Sequence, residues 1–530
     1  MGRVPHPNCL EEDLRTRHRL RLIPTTRAIL IPILLIVCAL TFGAIPVAAQ
    51  PDVSGVWALD LPTGDGNVIK TYLDLKQSGE QISGALWYDF YKRPIREGSI
   101  HDGKLHFTFI LWDDTPPPLG HCDGAVVGDK LRVTVHLAGD VVGTAIAERT
   151  TPQALALPPR LPLPALRDVP DNGLERTPPM GWNSWNKFEE KIDDVTVRAM
   201  ADAMVASGMR DAGYTYINID DTWEGPRDAQ GNITGNLKFP NMKGLADYVH
   251  SKGLKIGLYS SPGPNTCDGY PGSYGHEEQD AKTYAAWGFD YLKYDWCSAG
   301  RIYKDSEMRP VYQKMGDALL STGRPIVFSL CQYGDDDSWK WGAKVGGNLW
   351  RTTGDINDSW KRMEEIGFKQ FEIASYAQVG HWNDPDMLEI GNGGMTADEY
   401  RTHMSLWSLL AAPLLAGNDL RSMSEETKSI LINKEVIAID QDPDFHPVKK
   451  ISEQGPLVVA ARPLKEKTWA VGLFNRGNAT AKMSVTWKEI GLHGKLQVRD
   501  LWAHKDLGKI ADQFAAEVPS HGVMLITVKR

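Results

Sequence analysis

The 530-residue chain is poor in cysteine and contains none of the short motifs that usually mark a metal or phosphate site. Its six cysteines form no CxxC pair and no HExxH occurs, which argues against a zinc site. No GxGxxG or GxxxxGK[ST] loop follows a strand-like run, so nucleotide-dependent chemistry is not indicated. The sequence therefore predicts neither a metal ion nor a cofactor.

The chain also lacks an excess of positive charge. It carries 58 Lys and Arg against 67 Asp and Glu, a net charge of −9. Because proteins that bind nucleic acid usually present a basic surface, we predict no nucleic-acid partner. The remaining composition, 42% hydrophobic and 24% charged, is ordinary for a globular protein.

Long apolar runs are absent beyond the first fifty residues. Within these, arginine-rich RTRHRLRLIPTTR precedes AILIPILLIVCALTFGAIPV, and the small residues AAQ follow. This order is typical of a signal peptide, so residues 1–49 are predicted to be removed near Ala49 and the protein to be exported to the periplasm or the exterior. An uncleaved anchor is the alternative, because about 20 apolar residues can span a bilayer. After cleavage no membrane contact is expected, and the sequence indicates no particular oligomeric state.

The remaining chain divides by its strand and helix patterns. Residues 52–150 contain short alternating runs such as KLHFTFIL and KLRVTVHL, which predict a small all-β domain, either a sandwich or a barrel. Residues 151–175 are rich in proline and resemble a semi-rigid linker. Residues 446–530 return to strand patterns and predict a C-terminal antiparallel β-sandwich.

Residues 176–445 alternate eight short apolar runs with segments of helical spacing. Examples of the runs are YTYINIDD, GLKIGLYSS, FDYLKYDWC and NLWRTTGD. This alternation predicts a (β/α)8 barrel, a fold whose active sites lie at the carboxyl ends of the strands.

The polar residues that end these runs are mostly acids and their partners, with aromatic residues among them. A single aspartate after a strand is more often a helix cap or a turn former than a catalyst, and we assign that role to Asp358 and Asp419. Because five runs end in carboxylates, however, the acids would crowd at one mouth, and crowding separates an acid from a base by pKa. The candidates are Trp185, Asp220, Asp221, Tyr259, Lys293, Asp295, Gln332, Arg351, Asp355, Asp384 and Asp386.

Paired carboxylates, aromatic residues and the lack of a metal motif favour glycoside hydrolysis. A divalent-metal hydrolase is one alternative, but it predicts His or Glu ligands, and His381 alone supplies one here. A carbohydrate-binding protein without activity is the other. Binding alone does not require two carboxylates that face one bond, so loss of turnover in single Asp→Asn variants would separate these classes.

Six motifs in this region resemble glycoside hydrolase family 27, the melibiase-type α-galactosidases. They occur in the family's order as TPPMGWNSWNKF, YINIDDTW, LKIGLYS, YLKYDWC, WRTTGDI and HWNDPDMLEIGNGGMT. The resemblance implies a barrel followed by a β-domain, with no cofactor. It also implies hydrolysis of terminal α-D-galactosyl residues from oligosaccharides or polysaccharide branches. The all-β domain at residues 52–150 is not part of the family's usual core.

The resemblance further implies a retaining mechanism. Asp295 in YLKYDWC matches the nucleophile, and Asp355 in WRTTGD matches the acid/base. Because Lys293 lies two residues before Asp295 on the same strand face and favours its ionised form, we expect Asp355 to hold a proton more readily. The family's sugar-binding positions, with Asp220 and Asp221 on the 6- and 4-hydroxyls, correspond to Trp185, Asp220, Asp221, Tyr259, Lys293, Gln332, Arg351 and Asp386.

One position departs from the family pattern. The family's α-galactosidases typically carry Glu or a related residue after the cysteine of the segment that here reads SLCQYGDDDSW, and this chain has Gln332. The position is expected to face the sugar 2-hydroxyl, and an amide both donates and accepts. β-L-Arabinopyranosidase and isomalto-dextranase activities are therefore alternatives, although retention of Asp220 in IDD favours a hexose with a 6-hydroxyl, and so galactose.

The cysteines outside the predicted signal peptide also follow from the resemblance. It implies a disulfide between Cys267 and Cys297 beside the nucleophile strand, in keeping with export to an oxidising compartment. Cys331 is expected to be a reduced, partly buried thiol.

Overall fold

The computed structural model describes residues 51–88, 90–110, 119–137 and 140–530. The predicted signal peptide, residues 1–49, lies outside the described residues. Within the described ranges, no helix is both long enough and apolar enough to cross a membrane.

The N-terminal region is an antiparallel sheet that closes on itself. Its described strands are β1 (Gly55–Pro62), β2 (Val68–Ser78), β3 (Gln81–Tyr88), β4 (Tyr91–Pro94), β5 (Arg96–His101), β6 (Lys104–Ile110), β7 (Leu119–Val127), β8 (Lys130–Leu137) and β9 (Asp140–Thr150). Strand β1 pairs with both β2 and β9, and β2 also pairs with β3. The alternating apolar residues, among them Trp57, Leu73 and Phe107, fill the interior. The prediction of a small all-β domain is confirmed, and the closed sheet favours the barrel over the sandwich.

The central region is a (β/α)8 barrel, as predicted. Throughout residues 180–416, all of which are described, its strands are β10 (Met180–Asn183), β11 (Tyr216–Asn218), β12 (Lys255–Ser260), β13 (Tyr291–Asp295), β14 (Val327–Cys331), β15 (Leu349–Arg351), β16 (Trp382–Asp384) and β17 (Leu414–Ala416). Neighbouring strands pair in parallel from β10 to β16, and β17 pairs with β10. A parallel bridge between Leu388 and Ala416 completes the ring.

Amphipathic helices surround the barrel. Helix α2 shows the local logic, because the carboxylate of Asp193 caps its first turn and Val197, Met200 and Met204 face the core at helical spacing. The α-helices are α1 (Trp185–Phe188), α2 (Asp194–Ala206), α3 (Met209–Ala212), α4 (Met242–Ser251), α5 (Glu277–Trp287), α6 (Met308–Ser321), α7 (Trp360–Lys369), α8 (Ala397–Leu410), α9 (Glu425–Leu431) and α10 (Lys434–Asp440).

The C-terminal region consists of two antiparallel sheets, which confirms the predicted β-sandwich. Its strands are β18 (Lys449–Gln454), β19 (Leu457–Leu464), β20 (Thr468–Asn475), β21 (Ala481–Thr486), β22 (Lys495–Asp500), β23 (Lys505–Ala511), β24 (Gln513–Val518) and β25 (Val523–Lys529). Strands β21 and β24 pair with each other, and the remaining strands form the second sheet. Val471, Val485, Phe514 and Ile526 belong to the core of this region.

The loop between β1 and β2 inserts into the barrel's carboxyl-terminal loops. The buried carboxylate of Asp65 accepts hydrogen bonds from the hydroxyl of Tyr270 at 2.8 Å and from the side-chain amide of Asn236 at 3.0 Å. The side-chain amide of Asn67 donates to the carbonyl of Glu224 at 2.6 Å. Since these partners follow β11 and β12, the N-terminal sheet braces the loops at the mouth of the barrel.

We predict that Asp65→Ala lowers the free energy of unfolding by about 1–3 kcal/mol, because Tyr270 and Asn236 lose a buried acceptor. Asp60→Ala removes an exposed acid on β1, the strand that precedes this loop, and should change stability by less than about 0.5 kcal/mol. Thermal or urea unfolding of the three proteins measures the difference. Equal stability of the two variants would contradict the bracing role of Asp65.

Candidate active site

The carboxyl ends of the barrel strands open into a cavity of about 460 Å³, a size that suits a small ligand. Nine of the ten predicted catalytic and sugar-binding residues line it. They are Trp185, Asp220, Asp221, Tyr259, Lys293, Asp295, Arg351, Asp355 and Asp386.

Asp295 lies at the floor of this cavity as the last residue of β13. Its side chain is buried, and its carboxylate accepts a hydrogen bond from the hydroxyl of Tyr333 at 2.7 Å. Burial raises the pKa of Asp295, and the charge of Lys293 together with the Tyr333 hydrogen bond opposes that rise. The flanking strands hold the position, because Asp295 pairs in register with Cys331 on β14.

Asp355 stands at the rim, four residues beyond the end of β15. Its side chain is 71% exposed and accepts a hydrogen bond from the guanidinium of Arg351 at 2.9 Å. Burial, which would raise the pKa of Asp355, is outweighed by the charge and hydrogen bond of Arg351, which hold that pKa below its usual value.

The raised pKa of Asp295 and the lowered pKa of Asp355 are opposite to the order of protonation that we expected from the sequence. The expectation considered Lys293 alone, which does lower the pKa of Asp295, but the burial of Asp295 has the larger effect. Arg351, which the expectation left out, acts directly on Asp355. In the open cavity Asp355 therefore gives up its proton more readily than a free aspartic acid does.

Asp220 is anchored by two donors beneath the cavity. The Lys293 ammonium and the Asn183 side-chain amide each donate to the same carboxylate oxygen, Oδ2, at 2.7 Å. The Lys293 ammonium also lies 5.1 Å from the centroid of the Tyr259 ring, within the range of a cation–π contact. Lys293 thus joins the ends of β11, β12 and β13.

Asp221, the next residue, faces a different set of partners. Its carboxylate accepts hydrogen bonds from the backbone amides of Thr222 at 2.7 Å and Asp268 at 3.0 Å. Burial and the neighbouring charge of Asp268 raise the pKa of Asp221 well above its usual value. Burial likewise raises the pKa of Asp268 to about 7. Burial beside other acids thus raises the pKa of both carboxyl groups.

Asp386 links the two sides of the rim. Its Oδ2 accepts a hydrogen bond from the backbone amide of Ile356 at 2.9 Å and forms an ion pair with the Arg351 guanidinium at 2.8 Å. Its backbone adopts a left-handed conformation, with φ at 85°, which is uncommon outside glycine. Asp386 therefore fixes the Arg351 guanidinium, which contacts Asp355, and the backbone of Ile356, the residue after Asp355.

The expectation for Gln332 is wrong in its geometry. Gln332 is fully buried, donates to the backbone carbonyl of Arg351 at 3.0 Å, and does not line the cavity. Its neighbour Tyr333 lines the cavity instead and reaches Asp295. The physical reason is local, because Tyr333 has a φ of 61° and the chain turns there, which exchanges the faces of successive side chains.

The assignments of Asp358 and Asp419 differ in outcome. Asp419 accepts from the backbone amide of Arg421, as a capping or turn residue does. Helix α7 is capped by Ser359, so the capping role of Asp358 is wrong. Asp358 instead accepts from the hydroxyl of Tyr400 at 2.9 Å and lines the cavity.

Sequence reasoning also missed Glu389, a buried acid in the cavity wall. Its carboxylate accepts hydrogen bonds from the side-chain amides of Asn186 and Asn392. Burial raises the pKa of Glu389 to about 7. The signal in the sequence is weak, because Glu389 and Asn392 fall in the loop after β16 and Asn186 falls in α1, more than two hundred residues earlier.

The predicted disulfide between Cys267 and Cys297 is present, with the two Cα atoms 4.9 Å apart. The hydroxyl of Tyr259 donates to the sulfur of Cys297 at 3.1 Å, since a disulfide sulfur carries no hydrogen. These sulfurs lie close to Asp295, but as disulfide sulfurs they offer no thiolate for a metal. Cys331 is a free thiol, as expected, and is buried more completely than expected.

The raised pKa of Glu389 predicts how stability depends on pH. Between pH 4.5 and 7 the folded state binds more protons at Glu389 than the unfolded state does, so stability falls as pH rises through this window. The side chain at position 389 in Glu389→Gln cannot titrate. The free energy of unfolding of the wild type, relative to that of this variant, should therefore fall by at most about 3 kcal/mol between pH 4.5 and 7.5.

Urea unfolding of the wild type and the variant at several pH values measures this change. Glu425→Gln, which removes an exposed acid on α9, controls for the loss of a surface charge. A stability difference between wild type and Glu389→Gln that stays constant across the window would contradict the buried, partly protonated state of Glu389.

Comparison with known proteins identifies the family to which this chain belongs. The family model described as Alpha galactosidase A matches residues 177–442, and the model described as Alpha galactosidase C-terminal beta sandwich domain matches residues 454–528. Alpha-galactosidase 2 of Arabidopsis thaliana is 50% identical over 370 residues, which are 69% of this chain and 92% of that protein.

Solved structures agree with the sequence relatives. The crystal structure of α-galactosidase I from Mortierella vinacea matches with a TM-score of 0.66 at 39% identity, covering 68% of this chain and 98% of that chain. The α-galactosidase of Saccharomyces cerevisiae, solved with raffinose, matches with a TM-score of 0.65 at 29% identity, covering 68% and 98%. The chain therefore belongs to glycoside hydrolase family 27, the melibiase family, and is a glycoside hydrolase of the α-galactosidase type.

Proposed function

We propose that the protein is an exported, retaining exo-glycosidase that removes terminal α-D-galactosyl residues from oligosaccharides or polysaccharide branches. The observation that carries the proposal is the arrangement of a buried Asp295 and a rim Asp355 in one cavity that Arg351 and Lys293 also line. Two carboxyl groups with unequal surroundings are what double displacement at a glycosidic bond requires.

In the first step, the Asp295 carboxylate attacks the anomeric carbon while Asp355 gives its proton to the leaving glycosidic oxygen. The carbon–oxygen bond to the leaving group breaks as the galactosyl ester of Asp295 forms. In the second step, Asp355 takes a proton from a water molecule, which attacks the anomeric carbon and releases Asp295. Two inversions give net retention.

Asp355 must carry a proton for the first step, although Arg351 lowers its pKa in the open cavity. A bound sugar would cover this exposed side chain and exclude water, and desolvation raises the pKa of a carboxyl group. Once Asp295 is esterified, its negative charge is gone, which lowers the pKa of Asp355 again. Loss of the negative charge of Asp295 on esterification thus converts Asp355 from a general acid into a general base.

The residues proposed to recognise the glycone line the same cavity as the two catalytic acids. Asp220, which Lys293 and Asn183 hold in position, and Asp221 would accept hydrogen bonds from the 6- and 4-hydroxyls of the sugar. Lys293 and Arg351 would donate to ring hydroxyls, and Trp185 and Tyr259 would contact the apolar face of the ring. The relative that was solved with raffinose supports an α-galactosyl oligosaccharide as the substrate here.

Export is supported by two features of the chain. An arginine-rich segment, an apolar run and a small-residue site occur in this order within the first fifty residues. The disulfide between Cys267 and Cys297 suits an oxidising compartment, such as the periplasm or the exterior of the cell.

Chemical rescue tests the two catalytic assignments. We expect Asp295→Ala to lose turnover on an aryl α-galactoside, and added azide to yield β-galactosyl azide, because azide enters from the vacated side. Asp355→Ala is the matched variant, since azide there attacks the galactosyl ester and yields the α-azide. The configuration of the products is read by NMR, and an α-azide from Asp295→Ala would overturn the assignment of the nucleophile.

The role of Asp220 predicts the choice of glycone. An aryl α-galactoside should be cleaved about tenfold to over a hundredfold faster in kcat/KM than an aryl β-L-arabinopyranoside, which lacks the 6-hydroxyl and therefore one charge-assisted hydrogen bond to the buried Asp220 carboxylate. Asp220→Asn should reduce this ratio as well as overall activity. Faster cleavage of the arabinopyranoside or of an α-glucoside by the wild type would contradict the reading of the pocket and leave the two-carboxylate mechanism intact.

A further inference from the structure

The outer face of the N-terminal sheet carries three histidines grouped around one aspartate. Asp123 and His121 lie on β7, His106 lies opposite Asp123 on β6, and His136 lies opposite His121 on β8. We refer to these four residues as the histidine cluster. It lies outside the regions that match the α-galactosidase family models, and the hydrolytic mechanism does not use it.

Strand alternation places all four side chains on the same face. Their neighbours Phe107, Cys122 and Val135 point into the apolar interior of the sheet and are buried. The cluster therefore points toward solvent, and Asp123 is 55% exposed while His136 is 19% exposed. A dissolved ion can reach these groups without any opening of the fold.

The distances from His121 and His136 to Asp123 do not fit direct hydrogen bonds. Nε2 of His121 and Nε2 of His136 lie 3.7 Å and 3.6 Å from the same oxygen of Asp123, Oδ2, which is longer than a normal hydrogen bond. Two ligands about 2.1 Å from one tetrahedral metal ion lie about 3.4 Å apart. Each histidine nitrogen thus lies from Oδ2 of Asp123 at close to the separation that two ligands of one ion have, and the three residues offer ligand atoms within 4.8 Å of one another.

The fourth residue completes the pattern. Nδ1 of His106 lies 2.8 Å from Oδ1 of Asp123, the carboxylate oxygen that faces away from the other two histidines. This contact fixes the direction of Oδ2, as a partner in the outer shell of a metal site does for a ligand. An isolated surface aspartate would have no comparable constraint.

The rings of His121 and His136 are stacked, with centroids 4.2 Å apart and planes 10° from parallel. To direct both Nε2 lone pairs at one ion, the rings must tilt toward each other. The χ2 torsion of histidine has broad minima, so a modest rotation costs little. Both side chains are partly exposed and have room for it.

We propose that His121, His136 and Asp123 bind one divalent transition-metal ion of the zinc class, with His106 as the residue that orients Asp123. Two neutral imidazoles and a carboxylate suit Zn²⁺, Co²⁺, Ni²⁺ or Cu²⁺ rather than Ca²⁺ or Mg²⁺, which prefer oxygen ligands. The ion would join β7 to β8 and thereby stabilise the N-terminal sheet, because binding to the folded state adds to its stability.

Titration of the full-length, untagged protein with Zn²⁺ after removal of metals by a chelator tests the proposal. Isothermal titration calorimetry should give one equivalent bound, and Co²⁺ should give visible d–d absorption bands. The double variant His121→Ala/His136→Ala should lose this equivalent. His101→Ala is the control, because His101 lies on the same sheet and pairs with Glu80 instead.

His106→Ala should keep the stoichiometry and weaken binding about 10- to 100-fold. Unchanged hydrolysis of an aryl α-galactoside would verify that each variant is folded, and if the double variant does not fold, His121→Ala alone serves with the Co²⁺ spectrum as its readout. Binding of Zn²⁺ by the double variant with wild-type affinity, or no stoichiometric uptake by the wild type, would overturn the proposal. Wild-type affinity in His106→Ala would remove His106 from it.

Discussion

Two cations hold three carboxylates at one end of the barrel, and the architecture of the site depends on these pairs. Lys293 bonds to Asp220, and Arg351 bonds to Asp355 and Asp386. Breaking a buried pair by removal of one partner commonly costs about 3–5 kcal/mol, because the other charge is left without compensation. The contacts that compensate the negative charges of these acids also fix each acid in position, so the residues proposed for catalysis and sugar binding contribute to stability as well.

The sequence was sufficient for the parts of the site that are set by strand order. Each parallel strand delivers its last residues to the same rim, so Asp220, Asp295 and Asp355 were predictable from the ends of apolar runs. Gln332 was not, because the left-handed turn at Tyr333 reverses which side chain enters the cavity. The order of protonation was also inaccessible, since it depends on the depth of Asp295 and on Arg351 beside Asp355.

The N-terminal sheet shows more clearly that contacts between distant residues could not be predicted from the sequence. Its strands and its all-β character followed from alternation, but its contacts join residues far apart in the chain. Asp65 reaches Tyr270, and the histidine cluster forms across β6, β7 and β8. A local motif search finds neither, so the prediction that the chain holds no metal rested on motifs that a sheet does not need. Pairing and register decide such sites, and they become visible only in three dimensions.

We propose that Asp295, which is buried near the charge of Lys293 and accepts a hydrogen bond from Tyr333, forms the covalent bond to the sugar. The most direct test is to trap the intermediate with a fluorinated α-galactosyl donor whose second step is slow, and to map the labelled peptide by mass spectrometry. We expect one galactosyl adduct, on the peptide that contains Asp295. An adduct on Asp355, or turnover that releases the inverted sugar without any adduct, would contradict it.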